Sequence, residues 1–431
     1  MSATNVNNLL SVVPPDPNMA NARRKLEEEI EEHAKSIIML KRSLNAMTTV
    51  SCLPGELLSE IFICFAQDYF RSYTNQKGHS SYYSLPRGIP EWVRVAHVCY
   101  AWREIALSTP RLWSSIAVTQ RSVAEQLLAR SKKAPLSVAV GHLGYGEDRK
   151  KFLEAVFSGE MPRLRELFIN GPSSHVYELC AKLTEPGDML HTLTLSESGD
   201  SYSWNNSDLI PQNLCNGQLP RLRRLEIRQL AIRWDNPLLC STLTSLVVIQ
   251  GISGSIQGTF EQLLSALESM TGLQTVELTN AIPPTSTPTG SAPLPPPSRA
   301  IIFPHLRDIR LHGPTIDCAN FLRHLSLGPD IELQLNCREE TGIHDLVLGI
   351  KAALARSNAW RTVELAGHYS PELTLNAWNT DVTFTDSFRI VEPASFTFQL
   401  SGRIMGSSEV HLFQEPSMFI NTETLRGRCV R

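Results

Sequence analysis

Six copies of one short pattern, L-x-x-L-x-L, run from residue 164 to residue 311 and sharply limit what this chain can fold into. The copies are Leu164, Leu167 and Ile169; Leu190, Leu193 and Leu195; Leu222, Leu225 and Ile227; Leu243, Leu246 and Val248; Leu273, Val276 and Leu278; and Leu306, Ile309 and Leu311, with a weaker seventh at Trp360, Val363 and Leu365. In most, the last two apolar residues alternate with polar ones, the period of a strand with one buried face; Phe168 and Val247 are the apolar exceptions. A strand of that kind cannot bury its face alone. Units whose first residues lie 21 to 33 positions apart do so by stacking side by side around a shared core.

The segments between the strands supply the second half of such a unit. Phe152–Phe157, Val176–Leu183, Phe260–Leu267 and Leu346–Leu354 have helical apolar spacing, and two strands, Ile116–Val118 and Leu136–Val140, separated by a helix-like Val123–Ala129, open the array. A further strand is expected at Ile331–Leu335. The unit resembles the leucine-rich repeat, whose period is ~20 to 29 residues, here irregular. The expectation is therefore an α/β repeat fold, a solenoid over residues 115–370, with a proline-rich loop ejected at 281–299 and a strand-rich cap over 371–431 suggested by Thr383, Phe384, Phe396, Phe398 and Leu400. Period-2 alternation puts Glu166, Phe168, Asn170, Arg224, Glu226, Arg228, Thr275, Glu277, Thr279, Asp308, Arg310 and His312 on the open face of the sheet. Of these, Glu166, Phe168, Arg224, Glu226, Arg228, Glu277, Asp308 and Arg310 are the candidates for binding a target protein.

The N-terminal third has another texture. Residues 1–20 are polar and contain Pro14, Pro15 and Pro17, a composition that predicts disorder. Over residues 21–49, Leu26, Ile30, His33, Ile37, Leu40, Leu44 and Met47 recur at alternating steps of four and three, a heptad seam of about three turns of the repeat. Two readings follow: a dimeric coiled coil, or one amphipathic helix packed on the module that comes next.

That module, residues 50–114, rests on two segments. Leu53-Pro54-Gly55-Glu56-Leu57-Leu58 with Ile61 and Phe62 opens a helix, since Pro54 suits a first turn and Glu56 sits at the positive helix end. After a polar insertion at 67–90, helical spacing resumes at Trp92, Val95, Val98, Trp102 and Ile105, and Pro110, Leu112 and Trp113 follow. Together the segments resemble the F-box, a three-helix module that docks a substrate receptor onto the Skp-family adaptor of a cullin-RING ubiquitin ligase. The resemblance implies that Leu53, Pro54, Glu56, Leu57, Leu58, Ile61, Phe62, Val95, Val98, Cys99, Trp102 and Arg103 hold the adaptor and, through it, the cullin. With the upstream heptad helix and degenerate repeats, the whole is similar to the F-box families expanded in mushroom-forming fungi.

The remaining chemistry is mostly exclusion. A formal net charge of −3 leaves no basic field for nucleic acid, and no apolar run is long enough for a membrane helix. The nine cysteines are scattered without metal-ligand spacing, as expected for reduced thiols, and the start of the chain lacks the pattern of a secretory leader, which predicts a cytoplasmic or nuclear protein. Gly251, Gly254 and Gly258 follow a strand and precede a helix, but a dinucleotide turn needs G-x-G-x-x-G. P-loop, nucleophile-elbow and zinc-protease motifs are missing from the sequence. No catalytic residue, metal or cofactor is expected. The chain reads as a receptor subunit of a ligase, or alternatively as an interaction scaffold without that role.

Overall fold

The computed structural model describes residues 17–74, 89–118, 120–141, 147–197, 209–251, 258–284, 294, 296–328, 331–337, 342–353, 362–367, 372–378, 396–401 and 424–429. The chain forms two compact units, one made of residues up to Tyr69 with Pro90–Leu112, the other of Phe70–Ile89 with Trp113–Arg431.

The first unit begins with helix α1, Pro17–Ala46, so positions 17–20 are helical and not part of a disordered tail; residues 1–16 lie outside those described. Ion pairs at i,i+4 (Arg23–Glu27, Arg24–Glu28, Glu31–Lys35) line its polar faces. Its apolar seam does not pack on the module: Leu26, Ile30, Ile37, Leu40, Leu44 and Met47 are 52 to 81% exposed. At its far end the Thr48 and Ser51 hydroxyls both donate to the Asn45 carbonyl, satisfying an acceptor that the helix leaves open.

Helix α2, Gly55–Thr74, starts where Pro54 and Glu56 predict but runs on through residue 74, past the expected start of the insertion at 67. The insertion expected at 67–90 therefore begins with two turns of helix; of its remainder, residues 75–88 fall outside those described. Ala66 continues the buried stripe of Leu58 and Phe62, which a reading weighted on Gln67, Asp68 and Ser72 misses. The second segment is likewise not one continuous helix. A 3-10 helix, Glu91–His97, ends before Cys99, whose extended backbone (φ −155°, ψ 173°) separates it from helix α3, Tyr100–Ser108. Phe62, Ala66, Trp92, Ala106 and Leu112 are all buried in this unit.

The second unit is built on a mostly parallel sheet. Its strands are β1 Ser115–Ala117, β2 Leu136–Val140, β3 Leu164–Gly171, β4 Thr192–Glu197, β5 Arg224–Arg228, β6 Ser245–Ile249 and β7 Thr275–Thr279. After the short β8, Ile301–Ile302, come β9 Asp308–Gly313, β10 Leu325–Ser326, β11 Glu332–Cys337, β12 Thr362–Gly367, β13 Glu372–Trp378, β14 Phe396–Ser401 and β15 Thr424–Cys429. From β1 to β11 the large sheet keeps chain order, skipping only β8 and β10, which pair with each other in a second, two-stranded sheet. Helices α4 Arg121–Ser131, α5 Glu147–Gly159, α6 Ser173–Lys182, α7 Phe260–Ser269, α8 Thr315–Arg323 and α9 Ile343–Ala353 return the chain between strands. A capping box at Thr259 and Gln262 starts α7.

Register explains why the repeated pattern builds this sheet. Leu167, Leu193, Leu225, Leu246, Val276, Ile309 and Leu333 are Cα partners in one row, and Ile169, Leu195, Ile227, Val248, Leu278, Leu311 and Leu335 in the next. Every one of them is buried. A one-residue slip would turn both rows to the opposite face, so burial itself holds the register.

The strand ends are tied by amides that the leucine pattern does not reveal. Gln229 and Asn280 adopt left-handed backbone (φ 58° and 49°) and turn the chain after β5 and β7. Asn280 Nδ2 donates to the Gln250 carbonyl at 3.1 Å, and Gln250 Nε2 donates to the Leu230 carbonyl at 2.7 Å. Of the expected loop at 281–299, residues 281–284, 294 and 296–299 form neither helix nor strand, and the rest lies outside the described residues. Arg299 bonds the loop's end to α7 through Glu261 and Glu268.

The array in chain order stops at β11. Beyond it the sheet runs β11-β14-β13-β12-β15, with β13 antiparallel to both neighbours. The strand carrying the weak seventh copy, β12, is thus separated from β11 by two strands drawn from 371–431; Thr383 and Phe384 lie outside the described residues.

Candidate functional site

Helix α2 carries two adjacent apolar stripes. Leu58, Phe62 and Ala66 point into the module, while Leu57, Ile61 and Phe65, one position earlier at i, i+4 and i+8, stand outside. The contrast is sharp: Leu57 is 53% exposed and Leu58 is 4%. A helix needs one such stripe to fold onto its neighbours; a second is surface that only a partner would bury.

The other expected contact residues divide in the same way. Val98 is 60% exposed at the break between the 3-10 helix and α3, whereas Val95 is buried within the module. Pro54, Glu56 and Arg103 are exposed, and Leu53, Cys99 and Trp102 are half-buried. Leu58, Phe62 and Val95 are core in this structure, so their part is to hold the helices that carry the exposed set. Tyr100 and Leu107 on α3 are also exposed, and the sequence reading did not single them out. An ion pair, Arg111 to Glu60 at 3.1 Å, joins the end of the module to α2, but both side chains are mostly exposed and its stabilising effect is correspondingly small.

In the second unit, the expected open-face residues lie in register. Phe168, Thr194, Glu226, Val247, Glu277, Arg310 and Gln334 form a continuous row of Cα partners from β3 to β11. Beside it run Glu166, Thr192, Arg224, Ser245, Thr275, Asp308 and Glu332. Several of the charges are already engaged. Arg228 pairs with Glu226, Arg310 reaches both oxygens of Asp308 (2.7 and 3.2 Å), and the Ser137 hydroxyl donates to Glu166 at 2.9 Å. Arg224 and Glu277 form no ion pair among the described residues, with Val247 on the strand between theirs. Phe168 contacts Phe70 edge-on, with centroids 5.7 Å apart.

Two electrostatic perturbations sit near this sheet. Burial, then the neighbouring Arg165, Arg223 and Arg224, hold the His191 imidazole below its ordinary pKa, with Glu166 opposing. Burial likewise pushes the Glu197 carboxyl up, although hydrogen bonds from Ser173 oppose it. The buried thiols of Cys180 and Cys215 are pushed up to about 12 by desolvation and stay protonated. Among the described residues, no cluster of His, Cys, Asp and Glu could hold a metal, and no helix is long and apolar enough to cross a membrane.

Residues 50–119 match the family described as F-box-like, and the match spans both halves of the module together with the start of the sheet. The chain thus carries an F-box-like domain, a class of module that generally binds Skp-family adaptors. No curated protein matches the chain.

Proposed function

We propose that this chain is the substrate receptor of an SCF-type cullin-RING ubiquitin ligase. The F-box-like domain takes a Skp-family adaptor, which links it to the cullin, and residues 115–370 act as an irregular leucine-rich-repeat solenoid whose open sheet face holds a target protein. The receptor itself does no chemistry; it raises the local concentration of target near a ubiquitin-conjugating enzyme. The cytoplasm and nucleus are where it would work.

One observation carries the reading: within the family match, Leu57, Ile61 and Phe65 form an apolar stripe on α2 that the module leaves in solvent. On the sheet, Arg224 and Glu277, which form no ion pair among the described residues, flank the strand of Val247 and suit a target that presents both charge signs around an apolar residue.

Co-expression with a Skp-family adaptor tests it. A 1:1 complex should form, and Leu57→Glu with Ile61→Glu should abolish it while leaving the melting temperature within a degree or two, because both sites are exposed. If the wild-type chain is folded and stays alone on a sizing column, the chain is an interaction scaffold without a ligase role.

A further inference from the structure

We infer that α1 is a self-association element, which pairs antiparallel with α1 of a second copy of this chain. The helix spans 30 residues, about 45 Å, and its seam meets solvent along that length. Written as heptads, Ile30, Ile37 and Leu44 fall at a, and Leu26, His33 and Leu40 at d. The opposite side is the one tied to the module: Arg42, at f, lays its guanidinium 3.8 Å from the centre of the Tyr100 ring. The seam consequently points away from its own domain.

Charge distribution selects both the partner and its direction. Between Leu26 and Leu44, Glu27, Glu28, Glu29, Glu31 and Glu32 precede the midpoint and Lys41 and Arg42 follow it, with Lys35 at the midpoint; Arg23, Arg24 and Lys25 lie before this stretch, the first two paired with Glu27 and Glu28. Two copies laid antiparallel about residue 35 bring each acidic half against a basic one. Leu26 then meets Leu44 of the other copy, Ile30 meets Leu40, and His33 meets Ile37. At the flanking e positions Glu27 faces Lys41 twice, by symmetry.

A parallel pair fares worse. It would set His33 against His33 and Arg23 against Arg23 in the core, and at e it would leave Glu27 opposite Ala22 and Lys41 opposite Ser36. The preference of a-position isoleucine with d-position leucine for parallel dimers is the opposing consideration. The buried Arg23 layer and the loss of both Glu27–Lys41 contacts outweigh it here, because two arginines would have to be desolvated against each other, whereas His33 enters the seam in either arrangement.

Sedimentation velocity on the full chain decides the matter. The wild type should be a dimer at micromolar concentration, and Ile30→Glu with Ile37→Glu should weaken it more than ~30-fold. Those positions are exposed in the single chain and glutamate is the better helix former, so the variant should remain a folded monomer, which its cooperative melt verifies. Glu27→Lys alone should weaken the dimer several-fold, and adding Lys41→Glu should restore it. A wild type that is monomeric at every concentration overturns the proposal, as does a dimer that survives Ile30→Glu with Ile37→Glu. Indifference of the dimer to Glu27→Lys would mean the parallel arrangement and overturn the antiparallel one.

Discussion

The rings of Phe62 on α2 and Trp102 on α3 lie 4.9 Å apart between centroids at an angle of 51°, and only Phe62 is fully enclosed. Trp102 is half-buried: its ring packs at a tilt on Phe62, and part of the side chain stays in solvent. That places a residue with the chemistry of an interface anchor on a support fixed by the module's own core.

Different losses should follow at the two positions. Phe62→Ala removes a buried aromatic and should cost about 3–5 kcal/mol of stability, read by urea unfolding, with adaptor binding lost as a consequence of unfolding. Trp102→Ala should cost less stability and weaken adaptor binding by about 2 kcal/mol in a titration on folded protein. Equal stability losses with no change in binding would make Trp102 purely structural.

Val95 and Val98 provide a matched pair three residues apart, the first buried and the second exposed. Val95→Asp should unfold the module, since an unpaired carboxylate there has no compensating partner. Val98→Asp should leave the thermal melt unchanged and reduce adaptor capture in a pull-down. If Val98→Asp binds as well as wild type, the break before α3 is not part of the contact surface.

Legibility in the sequence followed the physics that acts locally. The L-x-x-L-x-L copies located β3 to β7 and β9 because two leucines at period 2 must face the same way, and Leu164–Gly171 or Asp308–Gly313 needs little beyond that. Paired F-box-like segments were readable as a motif, but helix ends were not. Cys99 interrupts an unbroken apolar spacing through its backbone angles, and α2 continues past Phe65 through residues whose polarity suggests a loop. Which leucine faces a partner was also out of reach, because Leu57 and Leu58 look alike until a fold buries one of them. The order β11-β14-β13-β12 depends on pairings between distant strands, which no local spacing encodes. Gln250 and Asn280, whose amides join neighbouring turns, lie outside the leucine pattern altogether.

Those turns are open to a graded test at Asn280. Its left-handed backbone (φ 49°) suits asparagine or glycine, and its amide nitrogen donates to the Gln250 carbonyl. Asn280→Ala loses both features and should destabilise the second unit by about 1–3 kcal/mol. Asn280→Gly loses only the hydrogen bond and should recover part of that. Chemical denaturation of the three proteins checks it, and a glycine variant no better than alanine would remove the backbone from the account.

His191 should make the second unit sensitive to mild acid. Burial and the cationic neighbours Arg165, Arg223 and Arg224 depress its folded pKa below the ordinary 6.5, against a smaller opposing pull from Glu166. The unfolded chain then takes up the imidazole proton first as pH falls. Stability contributed by this site is fully present above the unfolded value and is lost progressively as pH drops from there through the lower folded value. His191→Gln, neutral throughout, should flatten that part of the profile when urea midpoints are compared at about pH 7.5, 6.5 and 5.5, a window chosen around the imidazole's reference value. The side chain is partly open to solvent, so the difference between the two profiles should be modest but of fixed sign. A wild type that loses no more stability than His191→Gln over this interval would show that the histidine is not held neutral by its surroundings.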